Sequence, residues 1–127
     1  MWIQILKSKL HLATVTEACV DYEGSMTISQ DLMDLCGILP YEKVLCGNMA
    51  NGSRFETYAI PGEAKRGQII LNGATAHLGK VGDRLTIMTF ANVKQEDAGV
   101  WTPKVLVLDT SNRVVKRRGI QDAEPAN

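Results

Sequence analysis

The apolar positions of this chain fall mostly at every second residue. "WIQIL" (Trp2 to Leu6) and "LATVTEA" (Leu12 to Ala18) alternate apolar and polar side chains, the period of a strand with one buried face. "MTIS" (Met26 to Ser29) reads as a further short strand. Ser29 then stands as a helix N-cap for "QDLMDLC", with Asp31 in the first turn and Gly37 at the stop. Leu32, Leu35 and Cys36 give that helix one apolar face. "EKVLCGNM" and "SRFETYAI" read as two strands joined at Asn51-Gly52, a dipeptide suited to a tight hairpin. "GQIILNG" is a strand ending at Asn72-Gly73, and "ATAHLG" has room for one or two helical turns. "DRLTIMTFANV" is a long alternating strand, "QEDAG" a turn or short helix, and "KVLVLD" the last strand, after Pro103. Residues 113–127, with Arg113, Lys116, Arg117 and Arg118 ahead of "DAEPAN", read as a solvated, flexible tail. Six or seven short strands with little helix predict a mainly β fold. A small closed barrel, one domain over residues 1–127, would remove the exposed edges so many strands leave.

Composition narrows the function classes. Of 127 residues, 45% are apolar, enough for a core that needs no disulfide or metal. Fourteen basic and fourteen acidic side chains cancel, so no overall field gathers nucleic acid or an anionic membrane, and a charged ligand must be caught by a local cluster. No apolar run reaches the length of a membrane span, and the start lacks the uninterrupted apolar stretch of a signal peptide. The expectation is a soluble, cytoplasmic protein. Cys19, Cys36 and Cys46 are odd in number and form no C-x-x-C pair, so they are expected as packed thiols. His11 and His77 stand alone, which argues against a zinc site.

Gly24-Ser25 is the dipeptide with unusual chemical scope. Read plainly, it is a turn. In a strained turn, however, a serine hydroxyl can attack the preceding carbonyl, and glycine leaves that carbonyl accessible. The amide becomes an ester through an oxyanion that needs hydrogen-bond donors. Loss of the serine α-proton then breaks the ester, and the new amino end hydrolyses to a pyruvoyl ketone. Such a ketone serves as an electron sink in the manner of pyridoxal phosphate, with no bound cofactor.

The surrounding motifs carry a resemblance. "KLH" (Lys9 to His11), "VTEA" (Val15 to Ala18), "YEGS" (Tyr22 to Ser25), "NGSRFETYAI" (Asn51 to Ile60), "LNGATAH" (Leu71 to His77), "VGD" (Val81 to Asp83) and "WTP" (Trp101 to Pro103) run in order along the chain. Together they make the chain similar to the pyruvoyl-dependent aspartate 1-decarboxylases, which make β-alanine for pantothenate synthesis. The resemblance implies a six-stranded double-psi β-barrel with short helices, assembled as a homotetramer with active sites between subunits. It implies cleavage between Gly24 and Ser25 into a β chain (1–24) and an α chain (25–127). It further implies α-decarboxylation of L-aspartate through a Schiff base to the pyruvoyl made from Ser25, with no metal and no pyridoxal phosphate. A helper protein for maturation is left open.

The same resemblance distributes roles among residues. Arg54, whose planar fork suits a carboxylate, is the expected substrate anchor, and Lys9 a second cation. His11, two residues from Lys9, shares its strand face and is expected to line the pocket. Tyr58, a phenol that stays protonated at neutral pH, is the expected proton donor. Arg54 and Tyr58, four apart on a strand, share a face. Thr57 is implied as a support for the oxyanion of self-cleavage and as a substrate contact. Simple alternation turns it the other way, so that role requires either a bulge or a revision. Tyr22 and Asn72 are expected to position the cleavage segment or substrate, and Asn72-Gly73-Ala74, with Thr75, to offer backbone N–H groups to an anion. Leu12, Gly47, Thr75, Cys36 and Cys46 depart from the family's usual residues; Gly47 and Thr75 bear on pocket shape. Two other readings use the same residues. One is a non-catalytic barrel that binds a small dicarboxylate or serves in assembly. The other is a hydrolase whose free amino-terminal Ser25 is the nucleophile.

Overall fold

The two alternating runs at the amino end prove to be one long strand and a short successor. β1 covers Trp2–Thr14 and β2 Glu17–Cys19. Then follow β3 (Ser25–Ser29), helix α1 (Gln30–Cys36), β4 (Lys43–Asn48), β5 (Arg54–Gly62) and β6 (Ile69–Asn72). A 3-10 turn at Gly73–His77 precedes β7 (Arg84–Lys94), and a second at Gln95–Val100 precedes β8 (Lys104–Leu108) and β9 (Val114–Arg118). This is the computed structural model of the chain, and it describes residues 1–120.

Among the described residues nine strands, rather than six or seven, form one mixed sheet in the order β2-β6-β3-β5-β4-β7-β1-β8-β9. The extra strands have physical reasons. β2 is three residues long, too short to show a period. β9 lies in the stretch expected to be a tail, and it pairs antiparallel with β8. Its sequence, Val-Val-Lys-Arg-Arg, lacks apolar alternation because it is an edge strand held by backbone pairing, and charge on an edge discourages further strand addition. The part of the expected tail from residue 121 onward lies outside the described residues.

Two bulges re-phase β1 against β7, at Lys7 and at Leu12. At Leu12 the backbone enters the left-handed region (φ 65), costly for a γ-branched residue. Arg84 holds it there: its Nε and Nη2 donate to the Leu12 carbonyl at 3.0 and 2.9 Å, and Nη2 also donates to the Leu108 carbonyl at 2.9 Å. The bulge explains why one strand reads as two. With it, Ser8, Leu10 and Ala13 face the core, and Lys9 and His11 face outward.

α1 ends at Gly37 in the left-handed conformation, as expected (φ 72). Ser29 occupies the N-cap position, but its hydroxyl lies 2.6 Å from Asp31 Oδ1 and 3.0 Å from the Glu63 carbonyl, so it ties the helix start to the end of β5 and caps no helix N–H. Leu32, Met33 and Cys36 are the buried face, with Leu35 packed at its margin. One continuous core joins α1 to both parts of the sheet through Leu10, Met26, Ile28, Leu71, Ile87 and Leu106, all fully buried. Truncating any of these leucines or isoleucines to alanine would cost about 2–5 kcal/mol. The chain passes from β1 into β2 through Val15 and Thr16, and Thr16 N–H donates to the Ile69 carbonyl at 2.8 Å. The end of β1, seventh in the order, is thereby linked to β2 and β6, the first two strands in it. All three thiols are free. Burial pushes Cys36 and Cys46 up to about 12, so both are inert packing groups, whereas Cys19 is only half-buried.

Candidate active site

The site residues expected from sequence fall into two groups. The first surrounds the Gly24-Ser25 peptide. Ser25 opens β3 opposite Asn72 of β6, and both are almost fully shielded, at 1% and 3% exposure. The Ser25 hydroxyl donates to the Glu23 carbonyl at 3.0 Å and accepts from Asn72 Nδ2 at 3.1 Å. The second Asn72 amide proton goes to Thr27 Oγ1 at 3.0 Å. An amide NH2 has two donors, so both are used. Gly73 follows with φ 66, and a Cβ there would lie 2.6 Å from Gly24 Cα and 2.8 Å from Gly24 N. Gly24 is thus pressed backbone to backbone against residue 73, a closeness only glycine at 73 permits. Thr75 Oγ1 donates to the Asn72 carbonyl at 2.7 Å and closes the 3-10 turn. Tyr22, half exposed, shares a hollow of about 220 Å³ with Cys19, Thr27, Ile70, Asn72 and Glu17. Ala74 is exposed, and His77 lies exposed at the end of the turn.

The second group lies on the outward face of β1, β4, β5 and β7. Lys9 and Arg54 line one cleft of about 360 Å³ with Gly47, Ser53, Thr86 and Met88, among others, and no acidic side chain lines it. Gly47 pairs with Arg54 across β4 and β5, and a Cβ at 47 would stand 3.9 Å from Arg54 Nη1. The guanidinium therefore lies over the bare glycine. Tyr58 follows on the same face of β5, half-buried, its ring 6.2 Å from that of Tyr41. β5 runs in unbroken register against β4, with Thr57 opposite Val44. No bulge turns Thr57, which stays on the side of the buried Phe55 and Ala59, away from Arg54 and Tyr58. Of the two alternatives, the bulge is ruled out, because regular pairing through Val44 keeps the alternation intact.

His11 is half-buried on the Lys9 face but does not line the Arg54 cleft. Burial first, then the positive charges of Lys9, Arg118 and Arg84, hold its imidazole below the usual histidine range. Its Nδ1 is buried with no hydrogen-bond partner. Three contributors escape a reading of the sequence. Thr27 shares the Asn72 amide, and its i+2 spacing from Ser25 was the available signal. The Glu23 backbone carbonyl leaves no side-chain trace. Arg84 acts through a bulge that pattern alone does not reveal. Among the described residues no group of three or more His, Cys, Asp or Glu is arranged to hold a metal.

Fold and site define a class: a small mixed-β protein that buries the serine of a Gly-Ser pair under a side-chain amide and carries a two-cation cleft free of acidic groups. Comparison with known proteins sharpens it. A sequence model of the family described as aspartate decarboxylase matches residues 1–115. Aspartate 1-decarboxylase of Leptospira biflexa is 50% identical over 117 residues, which cover 91% of this chain and 99% of the relative. The aspartate 1-decarboxylase of Lactiplantibacillus plantarum is 49% identical over 117 residues (92% and 90%), and that of Dehalococcoides mccartyi 47% over 112 residues (88% and 90%). The chain belongs to the aspartate decarboxylase family.

Proposed function

We propose that this chain removes the α-carboxylate of L-aspartate, giving β-alanine and carbon dioxide, with a pyruvoyl group made from its own Ser25, and that it feeds pantothenate and coenzyme A synthesis. The observation that carries the reading is the family match over residues 1–115.

Maturation follows from the setting of Ser25. The Ser25 hydroxyl attacks the Gly24 carbonyl, the peptide nitrogen leaves that carbon as the C–N bond breaks, and an ester replaces the amide. Removal of the Ser25 α-proton then expels the Gly24 carboxylate, leaving dehydroalanine at the new amino end. One water converts this to the ketone and releases ammonia. Glu23 O and Asn72 Nδ2 fix the hydroxyl. Gly73, by its contact with Gly24, fixes the electrophile, and orienting both partners is worth several powers of ten in such reactions. The parallel pairing of β3 with β5 begins at Met26 and Ala59, two residues on from Gly24 and from Thr57, and this supports a role for Thr57 beside the cleavage segment. Thr57 is therefore assigned to cleavage rather than to the outward substrate face.

The ketone, once formed, supplies a carbonyl that condenses with the substrate amine and takes up the electron pair left by carbon dioxide. Arg54 binds the carboxylate that is kept, and Lys9 adds a second positive charge. Tyr58 Oη delivers the proton to the carbon that has lost its carboxylate. Tyr22, Ala74 and Thr75 shape the approach to Asn72 and Gly73.

Two finer features belong to the same reading. The passage of β1 into β2 beside β6, around one core, supports a double-psi barrel closed by these contacts. The separation of Ser25 from Lys9, with β5, β4 and β7 between their strands, supports a homotetramer whose sites are completed by neighbouring subunits. The test is direct. Incubated protein should run as two fragments on a denaturing gel, and the larger should resist stepwise amino-terminal degradation. Ser25→Ala should stay whole and release no carbon dioxide from aspartate. A free serine on the larger fragment of an active preparation would overturn the mechanism.

A further inference from the structure

The outward face of β1, β8 and β9 holds a second cavity, of about 320 Å³, lined by Leu6, Lys9, Thr102, Pro103, Val105 and Arg118. Its walls are apolar at Leu6, Pro103 and Val105, and its polar groups are two cations and a hydroxyl, with no acidic side chain. Small-molecule sites have this make-up, mostly apolar with a few placed polar groups, and begin at about this size. The register places the cations. Val105 pairs with Lys9 on one side and with Arg118 on the other, so the three form one cross-strand row. The end of β9 is fixed as well. Gly119 is left-handed (φ +70), and a Cβ there would collide with the Pro103 carbonyl oxygen, so the backbone after Arg118 is seated directly on Pro103. The ion pairs among the described residues join Lys7 to Glu42, Lys43 to Glu56 and Arg66 to Glu63, and neither Lys9 nor Arg118 takes part. Lys9 lines this cavity and the Arg54 cleft alike.

We propose that this cavity binds a small organic acid with a branched apolar body, its carboxylate between Lys9 and Arg118 and within reach of the Thr102 hydroxyl, and that its occupant competes with the Arg54 cleft for Lys9. The binding site stands on geometry alone; the competition rests on the role assigned to Lys9 above. One ammonium faces one carboxylate at a time, so filling either space weakens the other, and the coupling is reciprocal. His11 reports on occupancy. The charges facing it are Lys9 on its own strand, Arg84 on β7 and Arg118 on β9, and all three disfavour its protonation. A carboxylate on Lys9 and Arg118 offsets two of them, so the imidazole should titrate higher when the cavity is filled.

The probe is isovalerate, added to the full-length, cleaved protein while the His11 imidazole is followed by NMR, with exposed His77 as the control for folding. Saturable binding with an upward shift of the His11 titration is expected. Affinity should fall roughly tenfold for acetate, which lacks the body, and for Arg118→Gln, which lacks the fork. 3-Methyl-1-butanol, which lacks the charge, should not shift the titration. Gly119→Ala, which displaces Arg118 without removing its charge, should also weaken binding. In turnover, isovalerate should raise KM for aspartate at constant kcat in the parent and not in Arg118→Gln. Unchanged isovalerate affinity in Arg118→Gln, or no saturable binding to the parent, overturns the proposal. Should the protein release no carbon dioxide from aspartate, the proposed function falls and the NMR titration alone decides this inference.

Discussion

Gly73 is required twice over, by its positive φ and by the 2.6 Å that separates the place of a Cβ from Gly24 Cα. Gly73→Ala must therefore displace the Gly24 backbone from its place beside Ser25. A displacement on the order of 1 Å at reacting groups costs about a hundredfold in rate, and that is the expected slowing of cleavage, read as the time course of two-fragment formation on denaturing gels. The fold should survive, because the Gly24 side of the contact faces outward and is exposed. Gly24 itself has open space where a Cβ would be, so packing at that position places no demand on it. Much of this neighbourhood was legible in the sequence, since Gly24-Ser25 and Asn72-Gly73 are paired motifs whose chemistry lies in their side chains or in the lack of one. Thr57 was legible only in part. Alternation correctly turned it from Arg54, and what the pattern lacked was the neighbouring strand, β3, whose parallel pairing brings Met26 beside Ala59, two residues on from Thr57.

At the scale of the element, the bulge in β1 decides which residues reach the outer face. Leu12 at φ 65 is held by two guanidinium hydrogen bonds, and a third ties the same arginine to β8. Arg84→Ala removes all three and leaves a strained carbonyl without its charged donor. A loss of about 2–4 kcal/mol is expected, read as a lowered urea midpoint at unchanged slope, with Arg84→Lys falling between. Period-2 reading could not foresee this. Phased from Leu12, the pattern puts Leu12 inside; the extra residue puts Ala13 there instead. β9 escaped for the opposite reason, since a charged edge strand carries no apolar period at all. Where a strand packs one face on the core without interruption, as β5 and most of β7 do, the pattern and the structure agree. The Asn51-Gly52 turn between β4 and β5 also stands where the dipeptide placed it, with Gly52 at φ 75.

The whole molecule combines a pH-dependent fold with a separation, across the sheet, of the two groups of residues expected to form the site. Asp83, 7% exposed, accepts Asn48 Nδ2 at 2.9 Å and Lys80 N–H at 3.0 Å, and the Asn48 hydrogen bond, then that from Lys80, holds its carboxyl below the usual range. A carboxyl depressed on folding stabilises the native state above its unfolded value, and that stabilisation is lost as pH falls through the folded one. Urea midpoints should therefore drop as the pH is taken below about 4, and Asp83→Ala should be weaker at pH 7 and flatter through that window. That separation has a sharper consequence. Ser25 begins β3 and Lys9 lies on β1, with three strands between them in the sheet order, and the hollow beside Asn72, the partner of Ser25, shares no lining residue with the cleft of Lys9. If Lys9 serves the Ser25 of a neighbouring subunit, Ser25→Ala and Lys9→Ala chains are each inactive alone yet complement one another in mixed assemblies. A site is intact when its Ser25 comes from a Lys9→Ala chain and its Lys9 from a Ser25→Ala chain, and random mixing at equal amounts makes this so for about a quarter of the sites in a closed, symmetric oligomer. Carbon dioxide release from aspartate by the co-refolded mixture should approach that fraction of the parent's. A site drawn wholly from one chain would contain a defect in every copy, and the mixture would remain as inactive as its components.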